Sequence, residues 1–323
     1  MLDQYGRVIN YLRISVTDRC NLRCCYCMPE GVQDVGMKNI LTFEEIWEIV
    51  RTGVSLGITH IRITGGEPLV RKGCVDLIRG IREIPGVETI TMTTNGVLLG
   101  NYAKQLKEVG VDSVNISLDT LDPEEFYKIT GKRELQEVLA GIRAAKTAGL
   151  QVKLNAVNRK ELDPLPLVRY AQKENLPLRF IEMMPVGYGK KYVGRSNEEL
   201  RKTLATVCGK SECITNREEL SWMGSGPAVY YRFSDLKVPV GFISAIHGKF
   251  CDTCNRIRLT AEGYLKLCLC YDKGADLRRA LREGEKEKLR TIMEETIFRK
   301  PAAHCFEHPE EMTETHEMVK IGG

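Results

Sequence analysis

Over about the first 185 residues, short apolar and β-branched runs alternate with amphipathic segments. The clearest amphipathic segment has apolar residues at Leu135, Val138, Leu139 and Ile142, which share one face of a helix. Strands that alternate with helices form a parallel sheet of right-handed βαβ units. The pattern therefore predicts six parallel strands, at residues 12–16, 60–64, 89–94, 113–119, 151–157 and 178–183.

The pattern changes after about residue 190. It predicts two hairpins, at 230–235 with 238–246 and at 256–260 with 264–269, then helices near 276–283 and 285–299 and a mobile polar tail. Six βα units are two short of a complete barrel. We predict an α/β fold: a partial (β/α)6 TIM-type barrel over residues 1–190 and a smaller C-terminal α+β extension over 191–323. A flat doubly wound sheet is the alternative.

Composition limits the partners. The chain has 47 lysines and arginines against 43 acidic residues, a net charge of +4, which is too small to favour DNA or RNA binding. A small anion held by a few arginines stays possible. The sequence shows no signal-peptide pattern and no run of about 20 apolar residues. We expect a cytoplasmic protein without a nucleic-acid or membrane partner.

Six of the twelve cysteines form two tight trios. Disulfides are rare in a reducing compartment, so clustered cysteines indicate metal. Three thiolates on one loop hold three irons of a 4Fe–4S cluster and leave the fourth iron open to a small molecule. A structural zinc loop is the alternative, although zinc sites usually have paired C-x2-C units and four ligands. The trios are Cys20, Cys24, Cys27 and Cys251, Cys254, Cys268, with Cys25 and Cys270 as spare thiols beside them.

Polar motifs follow the predicted strands. The first trio follows strand 1, the GGEP segment at 65–68 follows strand 2, and TTNG at 93–96 ends strand 3. Because the carboxyl ends of parallel barrel strands share one rim, we expect these groups to converge on one mouth. Strands 4 to 6 contribute Ser117, Asp119, Lys153, Asn155, Arg179, Glu182 and Met184 to it.

The C-x3-C-x2-C loop with Tyr26, together with GGEP, resembles the signature of the radical S-adenosylmethionine (SAM) superfamily. The resemblance implies that SAM binds the open iron of the first cluster and yields methionine and a deoxyadenosyl radical after one-electron reduction. It also implies a set of SAM-binding residues: Tyr26, Gly66, Glu67, Ser117 and Met184.

The second trio has the spacing C-x2-C-x13-C. An ordinary closed cluster has four cysteine ligands, so Cys270 is a candidate fourth, and zinc is again an alternative. The flanking sequences CNRIRLT at 254–260, LRISVTDRC at 12–20, RFIE at 179–182 and the terminal IGG resemble the GTP 3',8-cyclase family of molybdenum cofactor biosynthesis. This resemblance covers nearly the whole chain.

Arg256 and Arg258 alternate on a strand and so share one face, which suits phosphate or purine recognition. The family resemblance implies a larger set of GTP contacts. No residue is predicted to be catalytic in itself, and Arg13, Arg256 and Arg258 are the candidates near the substrate. The implied GTP-binding residues are Arg13, Arg62, Thr93, Lys153, Arg179, Arg256, Ile257, Arg258, Gly322 and Gly323.

The resemblance implies hydrogen abstraction from C3' of the GTP ribose, closure onto guanine C8, and 3',8-cyclo-7,8-dihydro-GTP as the product. The second cluster would anchor the guanine. The implied cofactors are two 4Fe–4S clusters and SAM. The implied partners are GTP, an external electron donor, the next enzyme of the pathway and a possible second copy of the chain.

One segment is a false motif match, and one position departs from the family pattern. Gly209-Lys210-Ser211 mimics a phosphate loop, but Leu204 stands where the first glycine is required. His60 stands where the family often has lysine. The alternatives are a radical SAM peptide-modifying enzyme with an auxiliary cluster, which would not need CNRIRLT, and a zinc-stabilised nucleic-acid-binding module.

Overall fold

The structure, a computed structural model, describes residues 1–31, 36–192, 194–220, 223, 226–284 and 286–322. The described strands all belong to one sheet. They are β1 (Tyr11–Ser15), β2 (His60–Thr64), β3 (Thr89–Thr94), β4 (Ser113–Ser117), β5 (Gln151–Asn158), β6 (Leu178–Glu182), β7 (Ser211–Cys213), β8 (Val229–Phe233), β9 (Val240–Ile243), β10 (Arg256–Leu259), β11 (Tyr264–Lys266) and β12 (Gly274–Asp276).

The helices connect these strands in the predicted alternation. Thr42 and Glu45 form a capping box at the start of the first helix, and Asp122 caps the fourth. The described helices are α1 (Phe43–Ser55), α2 (Cys74–Arg82), α3 (Leu99–Glu108), α4 (Pro123–Thr130), α5 (Leu135–Thr147), α6 (Leu165–Glu174), α7 (Asn197–Cys208), α8 (Arg217–Leu220), α9 (Leu277–Arg282) and α10 (Lys286–Phe298). Within the described residues, no helix is long and apolar enough to cross a membrane.

The six predicted strands are confirmed as β1 to β6, which pair in parallel and in sequence order. Both predicted hairpins also form, as β8 with β9 and β10 with β11. The sequence did not show that β9 also pairs in parallel with β6, and β10 with β1. The C-terminal part of the chain thus extends the parallel sheet to eight strands, one at each edge. Among the described residues no ladder joins β9 to β10, so the barrel is open, as predicted.

The two faces of the parallel strands differ in chemistry. Alternate positions, such as Leu12 and Ile14 on β1 or Ile61 and Ile63 on β2, are buried against the helices in one apolar cluster. The intervening positions face the inside of the barrel, which we call the lumen, and most of them are polar. A complete TIM barrel fills this space with branched apolar side chains. Here the polar lining leaves the lumen suited to a polar ligand.

The prediction that the last twenty residues are mobile was wrong for the described part of the tail. Val319 and Ile321 are buried, and the buried Glu314 forms an ion pair with Lys266 on β11. Composition describes local polarity only, whereas this segment is held by partners elsewhere in the chain. The tail lies against the barrel mouth and the region of the second trio.

We predict opposite effects for two glycine-to-alanine substitutions in helices. In Gly141→Ala, the new Cβ would overlap the carbonyl oxygen of Gly96, where α5 approaches the loop after β3. This should lower the free energy of unfolding by about 1–3 kcal/mol. In Gly100→Ala, no heavy atom lies within 4 Å of the new Cβ, and a gain of about 0.4–1 kcal/mol is expected. Urea denaturation of both variants measures this, and equal effects would contradict the close packing of α5.

Candidate active site

The first cysteine trio lies in the loop that follows β1, at the carboxyl ends of the strands. The sulfur of Cys20 accepts hydrogen bonds from the backbone N–H of Leu22 (3.4 Å) and from Asn95 Nδ2 (3.6 Å). Cys24 and Cys27 are joined by a turn in which the N–H of Cys27 donates to the carbonyl of Cys24 (2.9 Å). The trio is therefore held by its own loop and by the end of β3.

Burial raises the pKa of all three thiols. The neighbouring thiols add to this effect at Cys24, and burial with Cys20 nearby raises the pKa of Cys27 to about 12. Three thiolates at this site would repel one another in a poorly solvated environment. A metal centre supplies the positive charge that makes deprotonation favourable, since the thiolate is the metal ligand.

Thiolates on one tetrahedral zinc lie about 2.3 Å from the metal and hence about 3.8 Å from one another. Within the described residues, the group whose three ligand atoms all lie within 4.8 Å is the exposed set His308, Glu310 and Glu311. Neither cysteine trio meets this limit. The three-cysteine sets suit an iron–sulfur cluster, in which each thiolate binds its own iron.

A cavity of about 230 Å³ opens beside the first trio. Its wall includes residues at the ends of β2 to β6 and, from the C-terminal tail, Met318 and Val319. Four of the five predicted SAM-binding residues line it together with the trio: Tyr26, Gly66, Ser117 and Met184.

Glu67, the fifth, does not line this cavity. Its side chain is fully buried, and its carboxylate accepts from Leu69 N (3.1 Å), Thr94 Oγ1 (2.8 Å) and Asn95 N (2.7 Å). Glu67 therefore ties the end of β2 to the end of β3. Because Asn95 also contacts Cys20, the carboxylate positions the cavity wall from behind.

The two glycines of GGEP allow this wall to lie against the cysteine loop. A Cβ at Gly66 would overlap the carbonyl of Arg19, and one at Gly65 would lie 2.7 Å from the carbonyl of Thr17. Instead the N–H of Gly66 donates to Thr17 O (2.7 Å). Side chains at these positions would separate the loop from the rim.

The predicted GTP-binding cations lie in the lumen, along the strands, although we expected Lys153 and Arg179 at the rim. Arg179 donates to Asn155 Oδ1 (2.9 Å) and Asn115 Oδ1 (2.7 Å), and Arg62 Nε donates to the Tyr11 hydroxyl (2.5 Å). These bonds cross neighbouring strands, so their side chains share the inner face. The sequence prediction placed Lys153 and Arg179 at the strand ends because it lacked the register between strands.

The cations of the lumen repel one another. Burial lowers the pKa of Lys153 to about 8, with Arg179 and Arg62 contributing, and burial with Arg256 nearby lowers the pKa of Arg258 to about 10. The pKa values of Arg13 and Arg179 are also lowered, mainly by burial.

In the described ranges, none of five lumen cations forms an ion pair with a carboxylate. A confined group of cations without acidic partners is suited to a multiply charged anion. The five are Arg62, Lys153, Arg179, Arg256 and Arg258.

The second trio lies at the opposite end of the lumen, near the start of β10. Cys254 precedes Arg256, the first residue of β10, which pairs with Tyr11 at the start of β1. Burial raises the pKa of Cys251. At Cys254, burial is outweighed by Lys300, Arg256 and a backbone N–H, which lower its pKa to about 7. The cation-lined lumen thus runs between two cysteine trios.

The spare thiols are engaged elsewhere. The buried Cys270 contacts Cys305, with the two sulfurs 2.7 Å apart, in an apolar cluster that includes Phe306. Cys25 accepts a hydrogen bond from Arg159 (3.4 Å). These contacts favour three cysteine ligands for each centre.

Three residues of the predicted GTP-binding set do not place a side chain in the lumen. Ile257 is fully buried in the core between Arg256 and Arg258, so its side chain points away from the lumen. The carbonyl of Gly322 accepts from Arg258 Nη1 (2.7 Å), which brings the tail to the lumen. Gly323 lies outside the described residues. His60, where the family often has lysine, bonds to Thr89 Oγ1 (2.9 Å) at the amino end of β2.

Sequence reasoning placed Asp119 and the TTNG motif at the mouth without assigning their contacts, and it missed Lys300. Asp119 accepts from the Tyr26 hydroxyl (2.7 Å) and from Val157 N (2.8 Å), which fixes the first loop to β5. Asn95 could have been found from its place in TTNG after β3. Lys300, beside the second trio, gave no signal because it follows an ordinary charged helix.

Comparison with known proteins agrees with this geometry. The radical SAM superfamily model matches residues 14–162, and the Molybdenum Cofactor Synthesis C model matches residues 176–306. The structure of Streptococcus suis SuiB bound to S-adenosylmethionine gives a TM-score of 0.67 at 13% identity, covering 97% of this chain and 77% of that one. At this identity the likeness shows the fold. Fold, trio and family model together define a radical SAM enzyme, a class that uses a 4Fe–4S cluster and SAM.

The relatives narrow the class further. The chain is 43% identical to the GTP 3',8-cyclase of Clostridium perfringens strain SM101. The alignment spans 330 residues and covers 100% of both chains. It is 46% identical to the GTP 3',8-cyclase of Peptoclostridium acidaminophilum over 336 residues, covering 100% of this chain and 98% of the other. The chain therefore belongs to the GTP 3',8-cyclase family.

We predict a pH-dependent contribution of Glu67 to stability. Burial raises its pKa to about 7 in spite of three donors. The folded protein thus holds this proton more tightly than the unfolded chain, so the contribution is full below about pH 4.5 and is lost as the pH rises through about 7. Relative to Glu67→Gln, the wild type should lose up to about 3 kcal/mol of unfolding free energy over this range. Urea denaturation at several pH values measures it, with the exposed Glu108→Gln as control. Parallel pH curves for wild type and Glu67→Gln would rule it out.

Proposed function

We infer that the protein is a radical SAM cyclase that converts GTP into 3',8-cyclo-7,8-dihydro-GTP, an early step of molybdenum cofactor biosynthesis. The observation that carries this function is the lumen, where a row of buried and half-buried cations extends between the two cysteine trios. A triphosphate needs several fixed positive charges, and a nucleotide held there would extend between the two trios.

The donor sets fit two 4Fe–4S clusters. Cys20, Cys24 and Cys27 would hold the first, and Cys251, Cys254 and Cys268 the second. When bound, the first cluster and SAM supply the reducing electron and the radical that abstracts hydrogen. We propose that Tyr26, Gly66, Ser117 and Met184 contact SAM, and that Glu67 acts through Asn95 and the GGEP turn.

The chain's own residues would bind and orient the substrate. Arg62 is fixed by Tyr11, and Arg179 by Asn115 and Asn155, so these two guanidiniums are preorganised. Fixed donors cost little reorganisation when an anion binds. We propose GTP contacts at Arg13, Arg62, Thr93, Lys153, Arg179, Arg256, Ile257 (through its backbone), Arg258, Gly322 and Gly323.

The tail would exclude water from the same space. Met318 and Val319 line the cavity at the first trio, and Gly322 reaches Arg258. A closed, dry site protects reactive species from side reactions. We further propose a division near residue 190, a cytoplasmic location, an external electron donor, transfer of the product to the next pathway enzyme and a possible homodimer.

Anaerobic turnover tests this function. Reconstituted protein incubated with SAM, dithionite and GTP should form 5'-deoxyadenosine only when GTP is present, together with a cyclised nucleotide detected by mass spectrometry. ATP in place of GTP is the control. Deoxyadenosine formed without GTP, with the nucleotide recovered unchanged, would reject GTP as the substrate.

Lys153→Met should weaken GTP binding by about tenfold or more, because a charge-assisted contact is worth about 1.5–3 kcal/mol. Lys153 titrates near pH 8, so wild-type affinity should fall above about pH 8 as the ammonium loses its proton, and the variant should lack this component. Equilibrium dialysis measures both effects, with iron content checked in parallel. The exposed Lys202→Met is the matched control, and equal affinities in the two variants would remove Lys153 from the site.

A further inference from the structure

Lys300 follows α10 and is one of the most deeply buried lysines in the described part of the chain, with 3% of its surface exposed. Its ammonium donates hydrogen bonds to the carbonyl oxygens of Arg256 (2.9 Å) and Leu267. Neither the SAM-binding set nor the GTP-binding set includes it. A buried ammonium needs a structural reason, since burial of a charge is costly.

The two acceptors belong to the two arms of the second trio. Arg256 lies two residues after Cys254, and Leu267 lies immediately before Cys268. One ammonium therefore clamps the backbone of both arms. This fixes the separation between two of the three sulfur ligands.

The adjoining residues hold the third arm. Arg7 Nη1 donates to the carbonyl of Cys251 (2.8 Å) and to that of Ala302 (2.8 Å), and Arg7 Nη2 donates to that of Pro301 (2.7 Å). Segment 300–302 is thus connected to all three arms. The second site is supported from behind by two buried cations.

The two buried cations, Arg7 and Lys300, differ in their ionic partners. Arg7 is paired with Asp3, and the other similarly buried lysine of this region, Lys266, is paired with Glu314. In the described ranges no carboxylate pairs with Lys300. An uncompensated buried charge costs several kcal/mol, and thiolate ligands at Cys254 and Cys268 would act favourably on the Lys300 ammonium.

We propose that Lys300 is a positioning residue of the second centre, which holds the arms of Cys254 and Cys268 and whose charge stabilises the reduced form of the thiolate-bound 4Fe–4S cluster. The proposal rests on the two-cluster assignment above. Reduction by one electron makes the centre more negative, so a fixed neighbouring cation favours it and raises the reduction potential. Lys300 belongs to neither the proposed SAM-binding set nor the proposed GTP-binding set, and its contact with Arg256 is to the main-chain carbonyl.

The test compares Lys300→Gln, which is neutral but keeps an N–H donor, with Lys300→Arg, which keeps the charge. Both are reconstituted in a background with Cys20, Cys24 and Cys27 replaced by alanine, so that the second cluster is observed alone. Iron content and an EPR-monitored redox titration are the measurements. The double variant Lys266→Met/Glu314→Gln is the matched control, because it removes a buried lysine of the same region without changing the net charge.

For Lys300→Gln we expect at least a tenfold fall in the equilibrium constant for reduction, a shift of about 59 mV to lower potential for one electron. Lys300→Arg and the double variant should stay close to the parent. An unchanged potential in Lys300→Gln with full iron would overturn the electrostatic role. Equal loss of iron in both Lys300 variants would show that Lys300 acts only through packing, and this would also overturn the proposal. GTP is absent from the assay, so failure of GTP turnover would not affect the result, whereas a parent protein without a second cluster would refute both proposals.

Discussion

Mutual repulsion among buried cations is the constraint on which the rest of the structure depends. A barrel normally fills its interior with branched apolar side chains, and here arginines and a lysine occupy that space. Burial and neighbouring cations lower the pKa values of Lys153 and Arg258. The cations of the lumen therefore repel one another, and a polyanionic ligand would lower this repulsion.

The fold accommodates the repulsion among these cations because they all lie on one face of the sheet. The opposite face is a continuous apolar core with the helices, and amide and hydroxyl groups such as Asn115, Asn155 and Tyr11 hold the guanidiniums apart. The two cysteine trios lie at the two ends of the lumen. Each end is in turn supported by a buried charged side chain, Glu67 behind the first trio and Lys300 behind the second. The sequence motifs alone do not reveal these supporting contacts behind the site.

Local patterns predicted much of this. The bounds of β2 and β3 agree residue for residue with the sequence pattern, since alternation and turn signals lie within a few residues of each other. Both trios were evident from spacing. The sequence analysis did not predict features that depend on distant partners. These are the parallel pairing of β9 with β6 and of β10 with β1, the packing of Val319 and Ile321, and the position of Glu67 behind the cavity wall. The position of cations along the lumen required the register between strands, which no single segment encodes.

The pairing of β10 with β1 has a consequence for how the molecule is made. Asn10 and Asn255, at the starts of these strands, are hydrogen-bonded across 245 positions of sequence. During synthesis the six βα units emerge first, with both sheet edges exposed until the last third of the chain arrives. Such long-range pairing is slow, and open edges invite aggregation. The first cysteine loop is complete well before the second, so the nascent chain offers its two iron sites in a fixed temporal order.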